Sequence, residues 1–422
     1  MTAIVGILNH RGVAFAADSA ATHKSASGTK IANNANKIFA LSKYHPVGIA
    51  IYNNLALMDV PWESIIKKYR ISLGSKCYPT LKEYANGFWT FAKTYCVKQF
   101  PEVQKAYLEI LVQQYYNEIK QVALNEVGGT ITADNIDQFF KAFILKLEEN
   151  KQDYQKEKAE DFKSYGIKDL DKYAKDIIDK TINEAIVVEK CPQEFRQKFC
   201  ESLHSFVCHS SHKYLEGFYS GLVFFGYGDK DVFPSYYHYI VSYAIDDHIK
   251  YTLATEYKVK NAGAVRIAPF AQSDVTNTVI RAVEDGLRQK FYENYATSIN
   301  GFRDDIVKQM TEANAPQEFI DIMTGLDMER HVKGYKKGMD DYIKQKYTDP
   351  LLETVSFLGK EDLSDLAESL VRMTCVKRHF SADEETVGGP VDVAVITQGD
   401  GFIWMKRKHY FDPDLNHQFF ER

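Results

Sequence analysis

Two short apolar runs open the chain, Ala3-Ile4-Val5-Gly6-Ile7-Leu8 and Val13-Ala14-Phe15-Ala16-Ala17, separated by Asn9-His10-Arg11-Gly12. Continuous apolar runs of this length, rich in β-branched residues and divided by turn chemistry, predict a β-hairpin with both strands buried. Because the first strand starts so near Met1, packing it predicts a chain start that is held in place rather than frayed. Further strand-like runs follow at Asn36–Leu41, Val47–Tyr52, Gly221–Gly228, Tyr236–Val241 and Tyr251–Thr255. The last strands are expected after the turn Val387-Gly388-Gly389-Pro390, at Val391-Asp392-Val393 and Gly401-Phe402-Ile403.

Between these runs the period changes from strand to helix. A helix is expected from Pro61 through Trp62 to Tyr69, with proline at an early helical position. Helical spacing recurs at Leu81, Ala85, Phe88, Ala92 and Tyr95, at Val103, Tyr107, Leu111 and Tyr115, and at Ile136, Phe139, Phe140, Phe143 and Ile144. A later helix is expected through Val275, Val279, Ile280 and Val283, N-capped by Ser273 or Asp274, and another through Leu363, Leu366, Ala367, Leu370 and Val371. The pattern predicts a mixed α/β chain whose strand-bearing parts are residues 1–72, 199–289 and 355–422, with helical insertions at 73–198 and 290–354. The Lys-, Asp- and Glu-rich stretch Glu148–Lys180 reads as solvated helix faces.

Composition narrows the class. With 422 residues, 45% hydrophobic and 26% charged, the chain has material for a large core. A formal net charge of −5 gives no basic footprint for nucleic acid. No apolar run approaches the ~20 residues of a membrane span, and the first residues lack the basic start of a signal peptide, so a cytoplasmic protein without a membrane partner is expected. Six scattered cysteines fit reduced thiols in that compartment. Cys200, His204, Cys208 and His212 recur every fourth residue, but at 1.5 Å per residue they span about 18 Å, too far for one metal. They read as a packed helix face. Gly226-Tyr227-Gly228 lacks the remainder of a phosphate loop. No cofactor or metal is expected.

The candidate chemistry lies at the start. Removal of Met1 before a small residue would leave Thr2 with a free α-amine, whose ordinary pKa of about 7.7–8.0 suits it to take the proton of its own hydroxyl. Asp18 follows the second apolar run, and a carboxylate buried there needs a partner. Lys37, ahead of the next strand, is the nearest candidate. Its ammonium beside Thr2 would lower the amine and hydroxyl pKa values, with Asp18 keeping it charged. Taken singly, each of the three is ordinary: an Asp at a strand end is a turn or cap, a lone Lys an edge residue. Their conjunction carries the reading.

Thr2, the block Ala16-Ala17-Asp18-Ser19, Thr22 and Lys37 before an apolar strand together resemble a proteasome β-type subunit, an N-terminal nucleophile hydrolase. They are similar, too, to the peptidase ring subunits of bacterial ATP-dependent proteases, and the late Gly388-Gly389 turn with its hairpin fits the same likeness. The resemblance implies a four-layer αββα sandwich, with Thr2 as nucleophile, Asp18 and Lys37 as its charged neighbours, and Thr22 as a main-chain docking point for a peptide or protein substrate. It implies Ala50, Tyr52, Asn53 and Asn54 as the strand end that binds substrate and offers N–H groups to the oxyanion. A homo-oligomer and an ATPase partner belong to the same expectation.

The chain departs from the pattern at three places. Tyr52-Asn53-Asn54 stands where the family has the oxyanion-hole glycine, and Gln272-Ser273-Asp274 where it has a Gly-Ser-Gly turn, which makes Ser273 the candidate supporting hydroxyl. Counting back from Gly388 gives Glu384 at the family's Asp and Val387 at its Ser, with Thr386 adjacent. Either Thr386 or Ser273 substitutes, or that proton path is absent. Two other readings stay open: a small-molecule amidase or acylase on the same fold, and a non-catalytic assembly subunit that keeps Met1.

Overall fold

The computed structural model describes residues 2–25, 28–185, 191–210, 219–381, 387–409 and 411–416, and of residues 22–25, 28, 29, 185 and 413 only the backbone. In chain order the strands of the first half are β1 (Ile4–Asn9), β2 (Gly12–Ala17), β3 (Ala21–Ser25), β4 (Gly28–Ala32), β5 (Ile38–Ala40), β6 (Val47–Asn53), β7 (Ala56–Leu57) and β8 (Val60–Pro61). They are followed by β9 (Ser220–Gly226), β10 (Ser235–Ile245), β11 (His248–Lys258), β12 (Arg266–Ala271), β13 (Asp392–Thr397) and β14 (Gly401–Lys406). The helices before β9 are α1 (Trp62–Leu73), α2 (Leu81–Tyr95), α3 (Pro101–Glu126), α4 (Ile136–Tyr154), α5 (Ile167–Ala185) and α6 (Phe195–Cys208). Those after β12 are α7 (Ser273–Arg281), α8 (Asp285–Glu312), α9 (Gln317–Thr324), α10 (Glu329–Ile343), α11 (Asp349–Phe357) and α12 (Lys360–His379). Among the described residues no helix is long and apolar enough to cross a membrane.

The fold is mixed α/β with antiparallel sheets, in two compact units: Met1–Ile38 with Val259–Arg422, and Phe39–Lys258. The first unit holds a sheet in the order β12-β1-β2-β13-β14. Every residue of β1 and β2 is buried, as continuous apolar runs require. Val5, Ile7, Ala14, Ala16, Val393 and Val395 pack under Leu363, Ala367, Leu370 and Val371 of α12. On the alternate positions Phe15 stacks on Phe270 at 5.5 Å and lies over Gly6, where a Cβ would come within 2.6 Å of its ring. The hairpin closes through Asn9, whose Oδ1 accepts from Arg11 N (2.8 Å) while Nδ2 donates to the carbonyls of Val355 (3.1 Å) and Leu358 (3.0 Å). One side chain thus makes the turn and ties it to the end of α11.

The second unit holds a sheet in the order β11-β10-β9-β6-β5. One face, with Ile49, Ile51, Leu222, Phe224, Tyr239 and Val241, packs on Trp62, Ile65, Ile66, Tyr69, Phe88 and Trp89 of α1 and α2. Asp231 in the β9–β10 turn accepts from Gly228 N (2.9 Å) and Leu81 N (3.0 Å), which joins that turn to the start of α2. Helices α3 to α6 build a core of their own around Tyr115, Tyr116, Phe143 and Phe199, joined by Tyr243 and Ile245 of β10. The helical residues between 73 and 198 therefore divide between two cores, α2 lying on the sheet.

Candidate active site

Thr2 and Asp18 are buried at the matching ends of the β1–β2 hairpin, where Ile4 pairs with Ala17. The backbone of Ala3 and the residue beyond β2 hold each other: Asp18 N donates to Ala3 O (3.1 Å), and Ala3 N donates to Asp18 Oδ1 (2.9 Å). Lys37, itself buried, reaches the same oxygen with Nζ at 2.7 Å. The other oxygen accepts from Ala20 N (3.1 Å) and Gly388 N (3.0 Å). Asp18 therefore has all four of its acceptor directions used, by three main-chain amides and one ammonium. That is the condition under which a carboxylate is stable in an apolar interior.

The Gly-Gly turn sets this geometry. Gly388 donates to Asp18 and its carbonyl accepts from Ser19 N (3.1 Å), while Ser19 Oγ donates to Pro390 O at 2.5 Å. Gly389 has φ +75, and a Cβ there would come within 2.9 Å of the Cβ of Asn33. Only glycine fits that conformation against the incoming 33–37 segment. Ala35 N donates to Ser19 O (3.0 Å), so the segment that delivers Lys37 is pinned to the one that carries Asp18.

Burial pulls the Lys37 ammonium below its ordinary range, Asp18 opposes that, and Lys408 adds to it. Lys408 is itself held: its Nζ pairs with the buried Asp392 of β13, whose Oδ1 also accepts Lys408 N at 2.8 Å. Cys375 of α12 feels both members of the Asp18–Lys37 pair, and burial above all pushes its thiol up to about 11. Sequence reasoning passed over Asp392, Lys408 and Cys375. The first had a signal, a carboxylate between Val391 and Val393 needing a partner by the rule that found Lys37; Lys408 and Cys375 had none.

The other expected residues fall elsewhere. Ser273 is exposed and is the first residue of α7, two residues beyond the Ile4–Ala271 pair of β1 and β12. Contrary to the expected cap, Gln272 occupies the N-cap position with φ 54 and no side-chain cap bond, and Asp274 is turned to Lys377 (2.8 Å) and Arg378 (3.0 Å). Two cations on α12 and the Val275 amide share that carboxylate and hold its pKa below the usual range against burial. Thr22 lies in β3 opposite Ile31, its side chain outside the described residues, as are Glu384 and Thr386 altogether.

Ala50, Tyr52, Asn53 and Asn54 belong to the second unit. Asn53 takes a left-handed φ of 64 and its Nδ2 donates to Tyr219 O (2.8 Å). The Asn54 amide donates to the same carbonyl at 3.1 Å, which removes it from the set of free donors. Tyr52 OH and His238 Nε2 are 2.8 Å apart in a buried pair, and burial lowers the His238 pKa to about 4. In α6, His204 Nε2 lies 3.1 Å from Tyr165 O; His212 lies outside the described residues. Among the described residues no three His, Cys, Asp or Glu side chains are grouped to hold a metal ion.

No family model and no curated protein matches the chain. Among solved structures it is similar to an Anbu (Gly-1) mutant from Hyphomicrobium sp. strain MC1, at 9% sequence identity over 100% of this chain and 97% of that one, with a TM-score of 0.29. A likeness at that level carries no argument, so the functional reading below rests on this chain's own residues.

Proposed function

We propose that the chain is an N-terminal threonine hydrolase of amide bonds, acting on a peptide in a four-layer αββα arrangement after Met1 has been removed. Thr2 Oγ1 attacks the substrate carbonyl and its α-amine receives the hydroxyl proton. The C–N bond breaks, the leaving amine takes that proton, and water then hydrolyses the ester at Thr2. Lys37 supplies a positive charge beside the nucleophile and Asp18 fixes where that charge sits. The observation that carries this reading is the shared oxygen: Asp18 Oδ1 accepts both the amide that follows Thr2 and the Lys37 ammonium. That bond sets the ion pair next to the proposed nucleophile.

The test is hydrolysis of two substrate sets, fluorogenic peptides and small acyl amides, by the full chain and its variants. Thr2→Ala, which also permits Met1 removal, is expected to abolish turnover, and Lys37→Met to lower kcat by about 10²–10³-fold, the span of one preorganised electrostatic group. Turnover of the small amides alone would move the substrate class to an amidase. Unchanged turnover in Thr2→Ala would end the threonine mechanism. The non-catalytic assembly reading is favoured by one observation, the committed Asn54 amide, and predicts no turnover of either set.

A further inference from the structure

At the end of the first sheet where β1 begins, β2 ends, β13 begins and β14 ends. Asp392, the first residue of β13, pairs with Ala17, the last of β2, and Asp18 follows Ala17. On the other side of β13, Val393 pairs with Lys406 at the end of β14, and the chain runs on to Lys408. The Gly-Gly turn fixes the spacing of the two acids: Gly388 N donates to Asp18 Oδ2, and Ser19 Oγ donates to Pro390 O, two residues before Asp392. Each acid takes one lysine. Lys37 Nζ lies 2.7 Å from Asp18. Lys408 pairs with Asp392 through Nζ, and its own N–H donates to the other carboxylate oxygen at 2.8 Å. Asp392 is buried and the Lys408 side chain is 11% exposed, so salt screens this second pair weakly.

We propose that Asp392 and Lys408 are positioning residues of the Thr2 site, an ion pair that biases the charge on Lys37 through space and so sets the pH window in which Thr2 works. The inference rests on the reading of Thr2 as the nucleophile. Among the described residues, Lys37 is faced by Asp18 beyond β2, Lys408 beyond β14 and Cys375 of α12. Burial draws its ammonium down, Asp18 holds it up, Lys408 draws it down again and Cys375 opposes. The window opens where the Thr2 amine is free to take the hydroxyl proton, and closes where Lys37 loses the charge it places beside the nucleophile. A second ammonium lowers both limits; a carboxylate raises both. Strands β2 and β14 are two strand spacings apart, about 10 Å. On that scale, at an effective dielectric of about 20, one unit charge moves a titration by about one pH unit.

Two measurements on the full chain test it. In protein carrying isotope-labelled lysine, the Lys37 NMR signal, identified by its loss in Lys37→Met, is followed through its titration; this readout needs neither turnover nor Met1 removal. The second is the pH profile of kcat/KM on fluorogenic peptides. Lys408→Met is expected to move the Lys37 titration and both limbs of the profile up by about one pH unit. Asp392→Asn leaves Lys408 without its counter-charge and is expected to move them down by a similar amount. The double variant should fall between the two, and Lys408→Arg, which keeps the charge, should stay close to wild type. A pair that only holds the sheet together would lower kcat/KM in both single variants without displacing the profile. An unmoved Lys37 titration, or displacement in the same direction in both single variants, would overturn the proposal even with Thr2 active. Opposite displacements in a chain that cleaves no peptide would support the coupling to Lys37 and overturn only the hydrolase reading.

Discussion

The Asp18–Lys37 pair makes a prediction that can be worked from its bonds. Replacing Lys37 by Met removes one of two donors on Asp18 Oδ1 and leaves a buried carboxylate with three amides and no counter-charge. Breaking one side of a buried pair costs about 3–5 kcal/mol, because the remaining charge loses its compensation. Asp18→Asn is expected to cost at least as much, since the amide NH₂ must face two of the four donors and Lys37 is left unpaired. The double variant no longer holds an uncompensated charge. It should be more stable than the sum of the single losses by about 2–3 kcal/mol, the upper range for residues in one network. Hydrogen exchange read on peptides covering β1, β2 and β13 reports the unit that contains the pair. Additive single losses, or an Asp18→Asn loss under about 1 kcal/mol, would refute the reasoning and make the pair a solvated contact.

Three further outcomes follow from the same reasoning. Gly389→Ala forces a side chain into positive φ against Asn33, and is expected to cost about 1–3 kcal/mol and to loosen Asp18, seen as faster exchange of the Ala20 and Gly388 amides. Burial lowers His238 to about 4 when folded, against its ordinary 6.5, so only the unfolded chain takes up a proton between those pH values. Stability in the second unit should therefore fall by about 3 kcal/mol as pH drops through that window, and His238→Gln should flatten the slope in urea unfolding. Burial lowers Lys250 from 10.5 to about 7, so the folded state binds its proton less readily than the unfolded state, and stability rises with pH across that interval. Lys250→Met should stabilise the protein by a few kcal/mol at pH 7, with the gain shrinking towards pH 10; equilibrium unfolding at both pH values checks it.

Parts of this were readable from the chain because they rest on local rules. The β1–β2 hairpin follows from two apolar runs around turn residues, and α12 from Leu363, Ala367, Leu370 and Val371 at helical spacing. The Asp18–Lys37 ion pair was readable because a carboxylate beside a buried strand must find a cation. What escaped depends on long-range choices. β12 contains Pro269 and has the look of a loop, yet it is the edge strand of its sheet, where a missing N–H is tolerated. α2 shares the spacing of the helices after it, and its aromatic contacts with β9, β10 and β11 assign it to the sheet. Tyr52 and His238 meet across 186 residues, which no spacing rule reaches. The N-cap expectation at Ser273 or Asp274 failed because α7 already includes both, with Gln272 at the N-cap position, and Asp274 pairs with Lys377 and Arg378 a hundred residues on.

The account's central claim is that Thr2 is a nucleophile beside Lys37. Intact-protein mass spectrometry of the natively expressed chain, before and after a peptide epoxyketone, tests it most directly. The account predicts a chain that begins at Thr2 and gains one adduct there, with labelling slowed in Lys37→Met and lost in Thr2→Ala. A chain that keeps Met1 and takes no adduct would contradict it.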